Sequence, residues 1–476
     1  MAPPVMHRTP FSGSWYPAEA NELQRLLGRL WEESEQRTGR FLLPEGRAFV
    51  VPHAGLVYSG RVAASVYRHI QRQKPRRVVL AGFAHRGAPP GIFLPEIEGY
   101  KTPLGSAPLD LDFANQLGRQ RPFEKGPESV LCDHSIEIQL PLLQWALPEA
   151  AVVPMYVGRL DEESREAAAE ALASTMTPDT VLIASSDLTH YGREFGFQPF
   201  PADWTVAERL RELDFKVVDA ASSLSAEHFL QTLRETSATV CGYNPVALLL
   251  AAVGKMGAGG EVFQEVLDYQ TSGEITGDYR HSVSYGALGY FPHPSFELSP
   301  EDGAALLKLA RQTLDRFQRT GRREAPEAEQ RKSPGLERRA PLFVTLHREG
   351  QLRGCLGNMA PDDPLAAAVP ELTLAAALED TRFQPVSSEE SGIEIEISIL
   401  TPLKRLLRLS DFRVGEHGAL LRLGGRQGLL LPQVATERGW SAEKFLRALG
   451  VKAGAGERAF EDPAAEIRVF RAQVIR

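Results

Sequence analysis

The sequence predicts a two-domain protein, in which an α/β N-terminal domain with a largely parallel sheet precedes a smaller α+β domain. Three observations predict this fold class. Short apolar runs alternate with helical patterns in the first part of the 476 residues, as in layered α/β proteins. A polar segment containing prolines follows residue 291. Beyond it, stretches such as IEIEISIL alternate apolar and polar residues, which is typical of half-buried antiparallel strands.

Four apolar runs are the predicted strands of the first domain. They span residues 47–52, 76–82, 150–158 and 180–186. Each is nearly continuous because both faces of a parallel sheet are buried. Helical patterns lie between them, for example at 59–73 and 161–176. The second of these opens with acidic residues, which stabilise a helix N-terminus.

The second domain follows a short linker. We predict domains at residues 1–294 and 299–476, joined by a linker at 295–298. The C-terminal domain opens with a helix at 303–319, preceded by a serine, a proline and two acidic residues. Residues 320–339 are charged and poor in large apolar side chains, so they are predicted to form an exposed, mobile loop.

Composition excludes several classes of protein. The formal net charge of −8 argues against a dominant nucleic-acid or anionic-membrane surface. No run approaches the ~18 apolar residues of a membrane helix, and the N-terminus lacks the apolar core of a signal peptide. The 3 cysteines are far apart, which excludes a zinc module with four cysteine ligands and argues against a disulfide scaffold. We expect a cytoplasmic protein with reduced thiols and no nucleic-acid or membrane partner.

Polar side chains follow three of the predicted strands. His53 follows the first strand, His85 the second, and Asp187 with His190 the last. Ligands bind at the carboxyl ends of strands in open parallel α/β sheets. A single histidine in such a place is usually structural, but three strands that end in this way predict a common site.

Cys241 is the fourth candidate. It precedes a helix that we predict to be capped by Asn244 and to begin at Pro245, and a helix N-terminus favours thiolate over thiol. The alternative is a small buried apolar side chain. With His53 and His85, the thiolate would complete a set of three ligands with open positions, similar to the two-histidine, one-carboxylate sites of non-haem iron enzymes. Sulfur also suits Cu or Zn, so the pattern alone leaves the metal open.

Other residues are candidates for the pocket wall. His134 and Glu137 are three apart, so they share a face if the segment is helical. Trp15 and Tyr16 are suited to cover a pocket mouth. Core packing and a polar helix end are the alternative interpretations of these four residues.

Six segments of the first domain closely resemble the Memo family. They are GSWYP, VPHAGLVYSG, GFAH, DHSIEIQLP, SSDLTHYG and CGYNP, within residues 7–292. The resemblance implies the fold of class III extradiol dioxygenases, which use non-haem Fe(II). A cysteine stands where those enzymes have a carboxylate, so ring cleavage does not follow from the likeness.

The resemblance also implies roles for individual residues. It places metal ligands at His53, His85 and Cys241, with Asp187 and His190 in the pocket. There we expect His190 and Asp187 either to support the ligands or to act as catalytic acid–base groups, since a histidine near its neutral pKa suits proton transfer. Members of the family have been linked to iron or copper binding and to redox control. Fe(II) is therefore the favoured ion, with Cu and Zn as alternatives.

The second domain resembles the AMMECR family from about residue 299 to the end. Its markers include LRGCLG (352–357), DTRFQPV and IEIEISILTPL. Arg353, Gly354 and Cys355 are predicted to form a tight, exposed turn that binds a ligand or partner. The alternative is that the glycines serve backbone geometry and the cysteine serves packing.

Taken together, the residues and the resemblance favour a metal-dependent redox or oxygenase-like protein acting on a small molecule or a modified side chain. Relatives of both domains are often encoded beside a radical S-adenosylmethionine protein, which is therefore the expected partner. The first alternative is a non-catalytic adaptor or metal-binding protein whose pocket recognises a peptide or other ligand. The second is a metal-free enzyme with Cys241 as nucleophile and His190 as base.

Overall fold

The chain forms two compact units in a computed structural model, which describes residues 5–87, 89–256, 261–323 and 333–476. The first unit is Met1–Ser295 and the second is Phe296–Arg476. No helix in these ranges combines the length and the apolar character that a membrane crossing requires.

The first unit alternates strands and helices along the chain. Its strands are β1 (Met6–Arg8), β2 (Ala48–Val51), β3 (Arg77–Gly82), β4 (Ile92–Pro95), β5 (Gly99–Thr102), β6 (Gly105–Pro108), β7 (Phe123–Gly126), β8 (Ala151–Val157), β9 (Thr180–Ser185), β10 (His190–Tyr191), β11 (Val262–Thr271) and β12 (Ser282–Pro292). Its helices are α1 (Ala20–Thr38), α2 (Leu56–Gln73), α3 (Leu111–Leu117), α4 (Glu128–Leu131), α5 (His134–Glu137), α6 (Gln139–Ala146), α7 (Glu162–Thr175), α8 (Val206–Ser222), α9 (Ala226–Thr236), α10 (Tyr243–Lys255) and α11 (Ser272–Thr276). The four strands predicted from apolar runs are confirmed as β2, β3, β8 and β9.

One mixed sheet organises this unit. Its order is β10-β12-β2-β9-β3-β8-β4-β7, with β11 paired to β12. The central neighbours β2, β9, β3 and β8 run parallel, whereas β12 and β11 add an antiparallel edge. The predicted α/β fold with a largely parallel sheet is therefore confirmed. Because β2, β9 and β3 are adjacent and parallel, their carboxyl ends meet at one edge of the sheet.

The central strands are covered on both faces. Val79 and Ala81 of β3 join an apolar core with residues of α7 and α10. Val78 and Leu80 point to the opposite face because side chains alternate along a strand, and they are fully buried as well. Helices therefore cover both sides, as the continuous apolar runs predict.

The second unit is smaller and built on antiparallel sheets, which confirms the predicted α+β class. Its elements are α12 (Pro300–Thr320), β13 (Leu342–Arg348), β14 (Gln351–Asn358), α13 (Leu365–Leu378), β15 (Ile393–Leu400), β16 (Lys404–Arg405), β17 (Gly418–Leu423), β18 (Arg426–Leu430), α14 (Gln433–Glu437), α15 (Ala442–Lys452), β19 (Glu466–Phe470) and β20 (Ala472–Ile475). The sheet orders are β14-β13-β15-β20 and β16-β19-β17-β18. Ser299 caps α12 by accepting the Asp302 N–H, and α12 encloses the predicted helix.

One local prediction for this unit was wrong, and a second falls mainly outside the described residues. The LRGCLG segment is not a turn but lies within β14, where each residue from Gly354 to Asn358 pairs with β13. The predicted exposed loop at 320–339 lies outside the described residues at 324–332. Beyond that gap, Leu336 is only 1% exposed because it packs in the core of the unit.

Candidate metal centre

His53 is buried at the carboxyl end of β2, and its ring is held from one side. The Nδ1 atom lies 3.1 Å from the Ser185 hydroxyl. That hydroxyl also accepts a 2.9 Å hydrogen bond from the Gln139 amide, whose oxygen accepts one of 3.0 Å from the Tyr67 hydroxyl. The chain of contacts fixes the ring and leaves the Nε2 atom of His53 free to face the pocket.

The Nε2 atom of His53 faces a sulfur atom. It lies 3.1 Å from the Sγ of Cys241, which also accepts the backbone N–H of Asp187 at 3.2 Å. The next residue, Gly242, allows this approach because a Cβ there would meet the Ser185 carbonyl oxygen at 2.4 Å. Helix α10 begins at Tyr243 with Gly242 as its N-cap, so the predicted cap at Asn244 was wrong by two residues.

Asp187 and His190 lie beside this pair. The Oδ1 of Asp187 accepts the backbone N–H of His53 at 2.8 Å, and its Oδ2 is 3.9 Å from the Nε2 of His190. The backbone N–H and carbonyl of His190 both bond to the hydroxyl of Thr239 at 2.9 Å. The Nε2 of His190 is buried and has no hydrogen-bond partner in the described residues, which leaves it available to a ligand or a substrate.

His85 reaches the pocket from the end of β3. Asp133 holds it twice, by a 2.8 Å contact with Nδ1 and by accepting its backbone N–H at 3.0 Å. The centre of its ring is 5.3 Å from that of His53 and 3.9 Å from that of His134, on which it stacks. As at His53, the Nδ1 atom is occupied, and Nε2 is the ring nitrogen that remains available for a ligand. Such outer contacts are what orient metal-binding imidazoles.

A cavity of about 760 Å³ opens onto these rings. Its lining includes His85, His134, Phe11 and Cys132. Trp15 packs against His134 with ring centres 4.4 Å apart, which continues the stack of aromatic and imidazole rings. The cavity gives a small molecule access to His85.

The remaining predicted wall residues lie elsewhere. Trp15 and Tyr16 line a second cavity of about 700 Å³. Glu137 lines neither cavity because its side chain is completely buried, 3.1 Å from the Nε2 of His7. Its predicted place in the pocket wall was therefore wrong.

The possible ligand atoms form two overlapping groups. His53, His85 and His134 form one, and His53, Asp187 and Cys241 form the other. Within each group all donor atoms lie within 4.8 Å of one another. The three ligands expected from the sequence are thus divided between the groups, and His53 belongs to both.

Burial sets the charge of these residues. It lowers the pKa of His53 well below its usual value, and it lowers the pKa of His134 and of His190 to about 4. Neutral imidazole is the form that binds metals. Burial also raises the pKa of Asp187 to about 7 and holds that of the Cys241 thiol well above its usual value. The expectation that the helix N-terminus favours thiolate was therefore wrong for the protein without a cation.

These residues fit a metal ion. The imidazoles of His53 and His85 are held through Nδ1, a thiol faces the Nε2 of His53, and the Nε2 of His190 has no partner in the described residues. A cation at this place would favour ionisation of Cys241, because metal binding releases the thiol proton. The residues around Cys241 do not by themselves lower the pKa of its thiol.

Sequence patterns did not identify three of the positioning residues. Ser185 is the last residue of β9, Gln139 is the first residue of α6, and Asp133 precedes α5. Asp133 was detectable in principle, since an aspartate before a short helix is a common N-cap, and it does accept the Ser135 N–H. Ser185 and Gln139 gave no such signal, because their contacts depend on the tertiary fold.

The second unit places its candidate residues on β14. The Arg353 side chain makes a bidentate ion pair with Glu390 at 2.6 and 2.9 Å. Gly354 is required by packing, since a Cβ there would lie 2.2 Å from the Ala376 carbonyl oxygen. Cys355 faces Thr345 on the neighbouring strand. The three adjacent residues therefore differ in role: Arg353 forms an ion pair, Gly354 allows close packing, and Cys355 contacts the neighbouring strand.

Comparison with known proteins follows the division into two units. The family model described as Memo-like protein matches residues 8–289, more than half of the chain. The chain belongs to the Memo-like family. The AMMECR1 model matches residues 307–475, so this Memo-like protein also carries an AMMECR1 domain.

Two curated relatives agree with the assignment to the Memo-like family. A MEMO1 family protein of Thermoplasma acidophilum is 33% identical over 287 residues, which cover 60% of this chain and 98% of the relative. The memo-1 homolog of Caenorhabditis elegans is 29% identical over 295 residues, covering 60% of this chain and 82% of the relative. The solved structure of the uncharacterized protein PH0010 from Pyrococcus horikoshii is 33% identical, covers 37% of this chain and 92% of its own, and has a TM-score of 0.36.

Proposed function

We propose that the Memo-like unit is a metal-dependent redox or oxygenase-like enzyme whose ion is held by His53, His85 and Cys241. The observation that carries the proposal is the Nε2 atom of His53 facing the Cys241 sulfur at 3.1 Å, with its Nδ1 atom held by Ser185. His85, held in the same way by Asp133, supplies the third ligand. Fe(II) is the favoured ion, and Cu and Zn are the alternatives.

A bound ion of iron or copper supplies Lewis acidity and one-electron redox chemistry. The chain supplies proton handling. The buried His190 imidazole, whose Nε2 has no partner in the described residues, is placed to hydrogen-bond a substrate group. Asp187 lies 3.9 Å from it and has a pKa raised by burial to about 7, so it is the group that exchanges a proton near neutral pH. Both residues lie beside Cys241 and His53, so the proton is taken up close to the proposed ion.

The substrate approaches through the cavity at His85. Its wall combines aromatic and imidazole rings with Arg86, Glu128 and Ser129. Ring faces bind flat apolar surface, and the polar side chains fix orientation. A small molecule or the modified side chain of a peptide fits such an opening.

The experiment is metal analysis with electron paramagnetic resonance on the full chain purified without oxygen. We expect one iron or copper ion per chain, lost in both His53→Ala and Cys241→Ala. Cys132→Ala is the matched control, because Cys132 lies in neither group of donor atoms, and it retains the ion. No metal in the parent protein, or metal retained in both variants, would overturn the proposal in favour of an adaptor.

Substitution of His134 distinguishes between the two groups of donor atoms. His134 stacks on His85 and belongs to one group, but the proposed ligand set excludes it. His134→Phe therefore retains the ion and changes the substrate dependence of any oxygen-consuming turnover. Loss of the ion in this variant would indicate that His134, and not Cys241, is the third ligand.

A further inference from the structure

A short segment between β9 and β10 carries both residues that are proposed to act on the substrate. It runs from Asp187, just after β9, to His190, the first residue of β10. A buried backbone N–H needs a hydrogen-bond acceptor, so the acceptors of this segment decide where the side chains of Asp187 and His190 lie.

The backbone N–H groups of residues 187–190 donate to four different residues, and three of the acceptors are side-chain atoms. The pairs are Asp187 with the Sγ of Cys241 at 3.2 Å, Leu188 with the carbonyl of Ser284 at 2.8 Å, Thr189 with the Oδ1 of Asp214 at 3.2 Å, and His190 with the Oγ1 of Thr239 at 2.9 Å. The position of the segment therefore depends on side chains from other parts of the fold.

Asp214 reaches the segment from α8, where it is completely buried. While its Oδ1 accepts the Thr189 N–H, its Oδ2 accepts a hydrogen bond of 2.7 Å from the hydroxyl of Tyr269. Both oxygens of the carboxyl group thus have a partner, as buried polar groups require. Asp214 is held in place from one side by Tyr269 and holds Thr189 on the other.

Thr239 binds the backbone of His190 twice. Its hydroxyl accepts the N–H of His190 and donates to the carbonyl oxygen of the same residue, both at 2.9 Å. Thr239 also precedes Cys241 by two residues in the chain. It therefore joins the segment that carries His190 to the segment that carries the proposed sulfur ligand.

We propose that Asp214 and Thr239 are positioning residues for the metal centre. They hold the 187–190 segment so that the Asp187 N–H reaches the sulfur of Cys241 and the Nε2 of His190 lies beside Asp187. The inference rests on the proposed function, which assigns the roles of Cys241 and His190. Both residues act by hydrogen bonding, so an amide at 214 and a serine hydroxyl at 239 replace them.

Amide hydrogen exchange on the metal-free full chain tests this positioning. We expect exchange within residues 187–190 to be about tenfold faster in Asp214→Leu and in Thr239→Val, because each variant removes a buried acceptor. Asp214→Asn and Thr239→Ser keep an acceptor and should restore the slow exchange. Tyr269→Phe is the control, since it removes the other partner of Asp214 and leaves the Thr189 contact in place.

The amides of α7 distinguish positioning from a general loss of stability. Global unfolding exposes every amide, whereas local opening affects one segment alone. Slow exchange at 187–190 in both Asp214→Leu and Thr239→Val would overturn the proposal. Equal acceleration in α7, or failure of Asp214→Asn and Thr239→Ser to restore slow exchange, would overturn it as well. If Asp214→Leu does not fold, the comparison of Thr239→Val with Thr239→Ser decides.

Cobalt(II) provides a second readout at the sulfur itself. A thiolate ligand gives Co(II) a charge-transfer absorption band, and a hydrogen bond to the sulfur tunes that band as outer contacts tune a metal centre. We expect the band to shift in Asp214→Leu and Thr239→Val and to keep its position in Asp214→Asn, Thr239→Ser and Tyr269→Phe. An unshifted band in Asp214→Leu and Thr239→Val would contradict the positioning role. Absence of the band in the parent protein would instead overturn the proposed metal centre, and hydrogen exchange alone would then decide whether the segment is held as described.

Discussion

The Nε2 atom of His53 lies 3.1 Å from the Sγ atom of Cys241, although 188 residues separate them in the sequence. His53 lies two residues beyond β2, and Cys241 lies two residues before α10. The backbone N–H of Asp187, just after β9, donates to the same sulfur. Three segments thus meet at one sulfur atom, and their approach depends on the absence of a side chain at Gly242.

Gly242→Ala is predicted to separate this pair. A Cβ at this position would lie 2.4 Å from the Ser185 carbonyl oxygen and 2.6 Å from the Ser186 Cβ, so the backbone that carries Cys241 must move. We expect a loss of about 1–3 kcal/mol in stability and at least tenfold weaker metal binding. Thermal denaturation and metal titration measure the two effects.

Gly28→Ala is the matched control for this substitution. Gly28 lies inside α1, and a Cβ there would first meet Trp145 at 4.0 Å. Alanine is the better helix former by about 1 kcal/mol. Unchanged or increased stability with normal metal content is expected. Equal losses in both variants would show that the close approach at Gly242 has no special importance.

Apolar runs and the residues that follow them made much of the candidate site predictable. A strand buried on both faces is largely apolar, so a polar side chain just beyond it marks its carboxyl end. By this rule the sequence predicts His53 beyond β2, His85 beyond β3 and, after two serines, Asp187 beyond β9. It works because adjacent parallel strands bring their ends to one edge of the sheet.

Local patterns failed where tertiary contacts decide the structure. The LRGCLG segment has the composition of a turn, yet Gly354 and Gly357 lie in β14. Both positions require glycine because a side chain there would collide with Ala376 or Phe343. Glu137 shares a helix with His134 but pairs with His7, a residue 130 positions away. Contacts between residues so far apart cannot be predicted from a short stretch of sequence.

Gln139→Met is predicted to weaken the support of His53. The Gln139 amide donates to the Ser185 hydroxyl and to the Pro52 carbonyl, both at 2.9 Å, and its oxygen accepts from Tyr67. Methionine has a similar volume but leaves these buried groups unpaired, at a cost of about 1–3 kcal/mol. Loss of an outer contact of this kind weakens metal binding by about 10–100-fold.

Tyr67→Phe tests whether the outer end of this chain of contacts also affects metal binding. It removes only the donor to Gln139 and leaves the two contacts of the Gln139 amide nitrogen in place. Metal titration is expected to show a smaller loss than in Gln139→Met. If Tyr67→Phe weakened binding more, His53 would not be positioned through Gln139.

Gly354→Ala is predicted to destabilise the second unit. The new Cβ would lie 2.2 Å from the carbonyl oxygen of Ala376, and a backbone atom cannot move aside as a flexible side chain does. We expect a loss of about 1–3 kcal/mol in thermal denaturation. Gly303→Ala in α12 is the control, since its Cβ would meet Ile475 at an ordinary 3.4 Å. A neutral Gly354→Ala would contradict the role in packing assigned to this glycine.

The charge of His7 is predicted to make stability depend on pH. Burial opposes protonation of this ring, but contacts with Cys132, Glu137 and Glu128 outweigh it and raise the pKa to about 11. A raised pKa in the folded state stabilises the protein fully below the unfolded value of 6.5, and the gain is lost as pH rises towards 11. The melting temperature of His7→Gln should therefore lie furthest below that of the parent near pH 6, and the gap should narrow steadily up to pH ~9.5.

His69→Gln gives the opposite case for comparison. Burial lowers the pKa of His69 to about 4, so its protonation affects stability only between about pH 4 and 6.5, where stability falls as the pH falls. Above pH ~7 the difference between His69→Gln and the parent is expected to stay constant. If the His7→Gln difference were equally flat over that range, the His7 ring would be neutral, and its contacts with the two glutamates would be ordinary hydrogen bonds rather than ion pairs.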